Sequence, residues 1–225
     1  ALALMARMGM VWPRGFSLNA YQLMAKNPMI LRGYGNTLFV LVVGLAFNLV
    51  LTSIGAYFMS RKNVLFNRAI SLMIIFTMYF SGGMIPFYIT VRQLGMENSL
   101  LALIIPSAIN TFNLIILRTS FASVPDSLEE SARLDGAGHL TILFKIVVPL
   151  SKASIAVILL YYAVGHWNSW FNAMIFLADR SKFPLQLILQ EILIQNDTSA
   201  MTQMVSVGDS SFVGETVKYA VIVVA

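Results

Sequence analysis

Apolar positions in this chain come in long uninterrupted runs rather than in a repeating stripe. No charged residue falls within residues 33–60, and Arg32 and Arg61 stand at the two ends of that run. A second uncharged run, 69–91, is closed by Arg92; a third, 98–117, by Arg118; a fourth, 153–178, by Asp179 and Arg180. A helix needs about 20 apolar residues to cross a hydrocarbon core of about 30 Å, so each run predicts a membrane span. Residues 217–225 begin a fifth and stop. Ser81-Gly82-Gly83 and Pro86 predict a kink or unwound turn in the second span, and Pro106 lies in the first half of the third. Such breaks are tolerated only where protein or a water-filled cavity satisfies the freed backbone groups.

The pattern becomes periodic only late in the chain. Leu185, Ile188, Leu189, Ile192 and Leu193 recur at helical spacing, with Gln186, Gln190 and Glu191 opposite. This helix is too short to span and reads as interfacial. Residues 1–32, with Pro13, Gly15 and Pro28 as breakers, and residues 179–216 read as loops on the same side of the membrane.

One segment differs from all others. Residues 125–152, PDSLEESARLDGAGHLTILFKIVVPLSK, carry charge between two apolar runs. They predict two helices. Asp126 or Ser127 caps the first, and Ser127 with Glu130 forms a capping box. Glu129 and Arg133, at i and i+4, add about 0.2–0.5 kcal/mol. Gly136-Ala137-Gly138 ends that helix. Gly138 opens the second, 139–147, and Pro149 marks where the fourth span begins.

Composition agrees with membrane residence and removes several functions. The chain is 58% hydrophobic and 11% charged, against roughly 25% charged in soluble domains. Its net charge of +5 is spread over loops rather than gathered in a patch, which excludes a nucleic-acid partner. Absence of cysteine removes disulfides, thiolate metal sites and a thiol nucleophile. His166 has no second histidine near it, so no metal site is expected, and with Trp167 and Trp170 it reads as an interfacial belt. The four spans contain no Asp or Glu, leaving neither catalytic residues nor a carboxylate to couple a proton or sodium ion. The stretch 208–216 places five residues between its glycines and Glu215 where a phosphate-binding lysine belongs, so it is no nucleotide loop. The start is not a signal peptide: Arg7 interrupts it, and Trp12-Pro13 follow where a small-residue cleavage site belongs. Lacking an initiator Met, the chain reads as a trimmed product or a fragment.

Polar residues at membrane depth usually tie helices together, at about 0.6 kcal/mol each. A sugar pathway needs the same residue types plus aromatic platforms. Tyr79, Asn110, Asn113, Tyr161, Tyr162, Trp167, Asn168, Trp170 and Asn172 are the candidates. Lys and Arg are nearly balanced between the two sides. The shorter loops favour the side of Arg61 and of 125–152 as cytoplasmic.

Glu130-Ser131-Ala132, three residues, Gly136, nine residues, then Ile146-x-Val148-Pro149 resembles the EAA loop of ABC-importer permeases. Ser131 stands for the motif's first Ala and Val148 for its Leu, both conservative in size. The longer run from Glu129 to Ala137 is similar to the carbohydrate-importer branch. So are Gly35-Asn36-Thr37-Leu38, Pro184-Leu185-Gln186 and His166-Trp167-Asn168-x-Trp170. The likeness is greatest to permeases of complex oligosaccharides and polysaccharides, such as the alginate and lipoprotein-type ones. The resemblance implies an all-α, polytopic bundle of the binding-protein-dependent (maltose-type) permease fold in the bacterial inner membrane, with the family's first span before Ala1. It implies as partners a second homologous permease, two ATPase subunits that bind ATP and Mg²⁺, and a solute-binding protein that delivers carbohydrate. No cofactor then belongs to this chain. The coupling residues it implies are Glu129, Glu130, Ser131, Ala132, Arg133, Asp135, Gly136, Ile146 and Pro149. Docking is preferred to capping alone for Glu130. A secondary transporter of a small polar solute, needing no ATPase, is the alternative; the helix pair 125–152 would then have no task.

Overall fold

The computed structural model describes residues 28–61 and 64–194, and among these there is no β-strand. Residues 33–187 form one compact unit; residues 28–32 and 188–194 belong to a second. The loop predicted for 1–27, the fifth span and the stretch 208–216 lie outside the described residues.

Helix α1, Pro28–Ser60, is the first predicted span. It opens on Pro28, expected as a breaker. Proline's fixed φ suits a first turn, and its missing N–H is not needed there. Among the described residues α1 alone is long and apolar enough to cross a membrane unbroken.

The second span is not one helix. α2, Asn67–Tyr79, and α3, Met84–Gln93, are bent by 114° at their junction. Gly83 has a φ of +85°, the left-handed region a side chain rarely enters. The expected kink is therefore a sharp bend between two helices.

A continuous third span, 98–117, does not form. α4, Leu101–Ile104, stops before Pro106, and α5 runs Thr111–Ala122. Proline cannot donate to the helix ladder, and Asn110 then begins a new helix by accepting the Asn113 N–H at 3.2 Å. α5 also outruns its predicted end at Leu117. Arg118 is accommodated because its Nε donates to the Met59 carbonyl, 3.1 Å away, near the C-terminal end of α1.

Residues 125–152 fold as predicted in outline. α6 is Asp126–Leu134 and α7 His139–Ile142; a π-helical turn, Leu143–Val147, leads into α8, Val148–Leu150. Pro149 explains the widened turn: it supplies no N–H to the carbonyl four residues back, at Lys145. α9, Lys152–Trp167, then leaves at 89° to His139–Leu150. The fourth span breaks again at Asn168 and Ser169, whose side chains take the carbonyls of Val164 and His166 at 2.9 and 2.8 Å. α10, Trp170–Phe176, follows, and the predicted short helix is α11, Leu185–Ile194. Leu185, Ile188 and Leu189 are buried as its periodicity requires, Leu187 is buried as well, and the side chains of Ile192 and Leu193 lie outside the described ones.

Two sequence fragments far apart meet near the start of α1. Asn36 Nδ2 donates to the carbonyls of Ser181 and Phe183 at 2.9 and 3.1 Å, and Thr37 Oγ1 accepts the Leu185 N–H at 2.9 Å. Toward the other end lies an apolar cluster. It joins Ala56, Tyr57 and Met59 of α1, Leu114, Leu117 and Phe121 of α5, Ile142, Leu143 and Val147 of the charged segment, and Ile158 and Tyr162 of α9.

Phe121→Ala, at a fully buried position, should cost about 3–5 kcal/mol. Leu160→Ala, at an exposed one, should stay within about 0.5 kcal/mol. Thermal unfolding of the detergent-solubilised chain measures both.

Candidate functional site

Two places gather polar side chains. The first is where the charged helix pair meets α1. α6 lacks the predicted capping box: Pro125 holds the cap position, no side chain caps the helix, and Leu128 N–H donates to the Pro125 carbonyl at 3.2 Å. Ser127 thus falls inside the first turn, and Glu130 is left exposed. The buried carboxylate is its neighbour. Glu129 is 7% exposed and accepts from Arg133 Nη2 at 2.6 Å, from Tyr57 Oη at 3.1 Å and from Arg61 Nη1. The Arg61 guanidinium also stands 4.6 Å from the centroid of the Tyr57 ring. Tyr57 Oη is 3.3 Å from Nδ1 of His139, the first residue of α7. The hydrogen bond to Glu129 is the main reason Arg133 is held above its ordinary pKa.

Of the implied coupling residues, Ala132 and Ile146 are half-buried, while Ser131, Arg133, Asp135, Gly136 and Pro149 are exposed with Glu130. Gly136 has φ +80°, and the Ala137 N–H returns to the Ala132 carbonyl at 2.9 Å. This is the left-handed helix end glycine favours. The apolar residues divide: Leu143 turns into the core, whereas Leu134 is 90% and Leu140 64% exposed. Leu128 and Phe144 are exposed with them. The segment therefore presents carboxylates and leucines outward from a base fixed by Glu129.

The second place is a cavity of about 330 Å³ behind the break between α4 and α5. Asn110, Asn113, Tyr161, Tyr162 and Asn172 line it; Tyr79, Trp167, Asn168 and Trp170 do not. Tyr79 is instead 78% exposed on α2. Ser107, Ser169 and His166, unforeseen in the sequence, join the wall, together with the apolar Leu103, Pro106 and Ile109. His166 is no interfacial belt residue. It is buried, 3.1 Å from Asn48 Oδ1, and Asn48 Nδ2 donates to the Ser107 carbonyl at 2.7 Å. Tyr162 Oη accepts the Asn110 N–H at 2.9 Å and lies 2.7 Å from Thr52 Oγ1. The unwound backbone is thereby satisfied from α1 and α9, and the wall is uncharged, aromatic and rich in amides and hydroxyls.

The family described as "Binding-protein-dependent transport system inner membrane component" matches residues 53–225. The chain belongs to this family. It is a permease subunit of an ABC importer in the bacterial inner membrane. The permease is 44% identical over 214 residues to the polygalacturonan/rhamnogalacturonan transport system permease protein YtcP of Bacillus subtilis, covering 95% of this chain and 74% of that one. It is 42% identical over 190 residues to protein LplC of the same organism, covering 84% and 64%. A bacterial ABC transporter that imports the acidic polysaccharide alginate has a similar fold, with TM-score 0.83, 33% identity, and coverage of 95% of this chain and 78% of that one.

What the sequence concealed in the permease is the side chains that serve others. Tyr57 and Arg61, four residues apart at and just past the end of α1, lie on another face from Asn48 and Thr52, which are also four apart and form a polar stripe. That stripe was the available signal. Gly44 belongs to it as well: a Cβ there would stand 2.6 Å from His166 Nε2.

Gly44→Ala should therefore lower stability by about 1–3 kcal/mol, because the hydrogen bond to Asn48 holds the imidazole in place. Adding His166→Ala should return part of that loss. A thermal-unfolding double-mutant cycle reads the coupling.

Proposed function

We propose that this permease passes a carbohydrate, an oligosaccharide or a polysaccharide such as alginate, handed over by a solute-binding protein. A second homologous permease completes the pathway, and two ATPase subunits supply ATP hydrolysis, so that no cofactor or catalytic residue belongs to this chain. The observation that carries the reading is the helix pair of residues 125–152. It presents Glu130, Asp135, Leu134 and Leu140 to solvent while Glu129 binds its base to α1.

In this reading the exposed leucines fill a groove on the ATPase, and Glu130 and Asp135 meet its basic residues. Ser131 and Ala132 keep the helix slim, and Gly136 sets the angle between the two helices. Ile146 and Pro149 join the handle to α9, and Arg133 holds Glu129 in place through its hydrogen bond. The cavity supports passage of sugar hydroxyls: Asn110, Asn113 and Asn172 offer amides, and Tyr161 and Tyr162 offer ring faces. Tyr79, Trp167, Asn168 and Trp170 stand away from that cavity, where a surface shared with the second permease would use them.

Glu130→Lys reverses an exposed charge, and Gly136→Val forces a β-branched residue into a left-handed turn. Both should leave membrane insertion intact and abolish co-purification of a nucleotide-binding ATPase, transport or both. Normal transport by both variants would refute the coupling role. Asn113→Leu and Tyr161→Ala should lower uptake in reconstituted vesicles without releasing the ATPase; unchanged uptake would remove the cavity from the pathway. Titrating the partner binding protein with uronate and neutral oligosaccharides identifies the substrate.

A further inference from the structure

Three features single out the contact between the handle and α1. The first is convergence. Glu129 takes hydrogen bonds from Tyr57 of α1, from Arg61 just past its end and from Arg133 of its own helix, while Tyr57 Oη also reaches His139 of the second handle helix. Both handle helices thus meet the last turns of α1 at one carboxylate.

The second feature is support behind that carboxylate. The end of α1 is not left to fray: Arg118 of α5 and Asn67 of α2 both donate to the Met59 carbonyl, at 3.1 and 3.2 Å, and Asn67 also donates to that of Arg61. A displacement of the handle therefore reaches three helices.

The third feature is unused bonding capacity. A guanidinium that grips a carboxylate for good does so with two parallel N–H groups. Among the described residues Arg61 uses Nη1 alone; its Nε and Nη2 are buried and meet no acceptor there. Bare donors in a buried place are costly, and a small swing of Glu129 around the guanidinium edge would satisfy them. The contact has a second seat.

We propose that Arg61 and Tyr57 are positioning residues that form, with Glu129, a movable joint turning handle displacement into movement of α1. This rests on the coupling reading above and adds where the force enters the span. α1 runs from that joint without interruption past Thr52, Asn48 and Gly44, the residues that hold the cavity wall. At the rise of an α-helix, Arg61 and Asn48 are about 20 Å apart along the axis. A joint at one end and a wall at the other make α1 the connecting rod.

The test uses the whole transporter in vesicles, with both permeases, the ATPase pair and the binding protein, reading uptake and ATP hydrolysis together. For Arg61→Gln, substrate moved per ATP should fall about thirtyfold or more while the ATPase stays bound, the loss expected when a buried charge pair is cut. Tyr57→Phe should lower the same ratio about tenfold, since its hydroxyl bonds the Glu129 carboxylate and reaches His139, and Arg61→Lys should recover part of what Gln loses. A purely structural role would lower uptake and hydrolysis together and leave their ratio unchanged; that result overturns the joint. If Arg61→Gln does not assemble, Tyr57→Phe, which removes one oxygen atom, decides by the same ratio. Failure of the wild-type chain to retain any ATPase would instead bring down the coupling reading itself.

Discussion

A peptide group has nowhere to turn in hydrocarbon. Water and headgroups are absent there, so each N–H and C=O freed by a helix break must be met by protein or open onto a wet cavity. This chain breaks its apolar runs after Tyr79, after Ile104 and after Trp167, and the arrangement of its helices follows from how those breaks are met. At the second break α1 sends Asn48 to the Ser107 carbonyl, and α9 sends Tyr162 to the Asn110 N–H. At the third, Asn168 and Ser169 reach back to their own helix. Such bonds contribute about 0.6 kcal/mol each between membrane helices. That is too little to fold the chain, but enough to choose which face of α1 looks at the break. Packing in the Phe121 cluster supplies the cohesion, and the polar stripe supplies the register.

The same physics separates two adjacent carboxylates. Glu129 and Glu130 are neighbours on α6, about 100° apart around the helix axis. Glu129, turned inward, is compensated by two arginines and a tyrosine. Removing one partner of a buried charge pair leaves the other uncompensated, so the group is costly to disturb. Glu130 is turned outward, keeps its hydration and can be spent on a partner. One helix thereby carries an anchor and an exposed contact residue side by side.

What the residues revealed on their own follows this division. Charges at Arg32, Arg61, Arg92 and Arg118 punctuate the apolar runs because an ion in hydrocarbon is expensive, and that cost is written into composition. The break at Ser81-Gly82-Gly83 was legible too, since glycine tolerates the backbone it requires. Other features depended on contacts remote in sequence. Nothing near Asn110 announces that Tyr162, more than fifty residues on, will hold its N–H. Reading Ser127 as a cap placed the emphasis on Glu130, whereas Pro125 takes the cap and the rotation of α6 brings Glu129 to Arg61. His166 stands beside two tryptophans as a belt residue would, but Asn48 and Gly44 on α1 make a slot for it. Local rules foresaw the ends of elements; they did not foresee which side chain on one helix another helix would need.

Why α1 is unbroken then has a physical answer. The other apolar runs bend because backbone at a break either opens a cavity or reverses the chain. α1 touches both the cavity wall, through Asn48 and Thr52, and the handle, through Tyr57 and the adjoining Arg61. A kink between those pairs would let the two ends move independently, since a helix transmits displacement only while its ladder of hydrogen bonds is continuous. Glycines at 44 and 55 fall within this helix, at about 1 kcal/mol each relative to alanine. Their neighbours account for them: a Cβ at Gly44 would meet the His166 ring at 2.6 Å, and one at Gly55 would stand 3.0 Å from Leu114 Cδ1. Close packing and an uninterrupted ladder are thus obtained together, at the expense of helix propensity. A helix that only filled the membrane would have no use for that exchange; one that connects a handle to a cavity wall requires it.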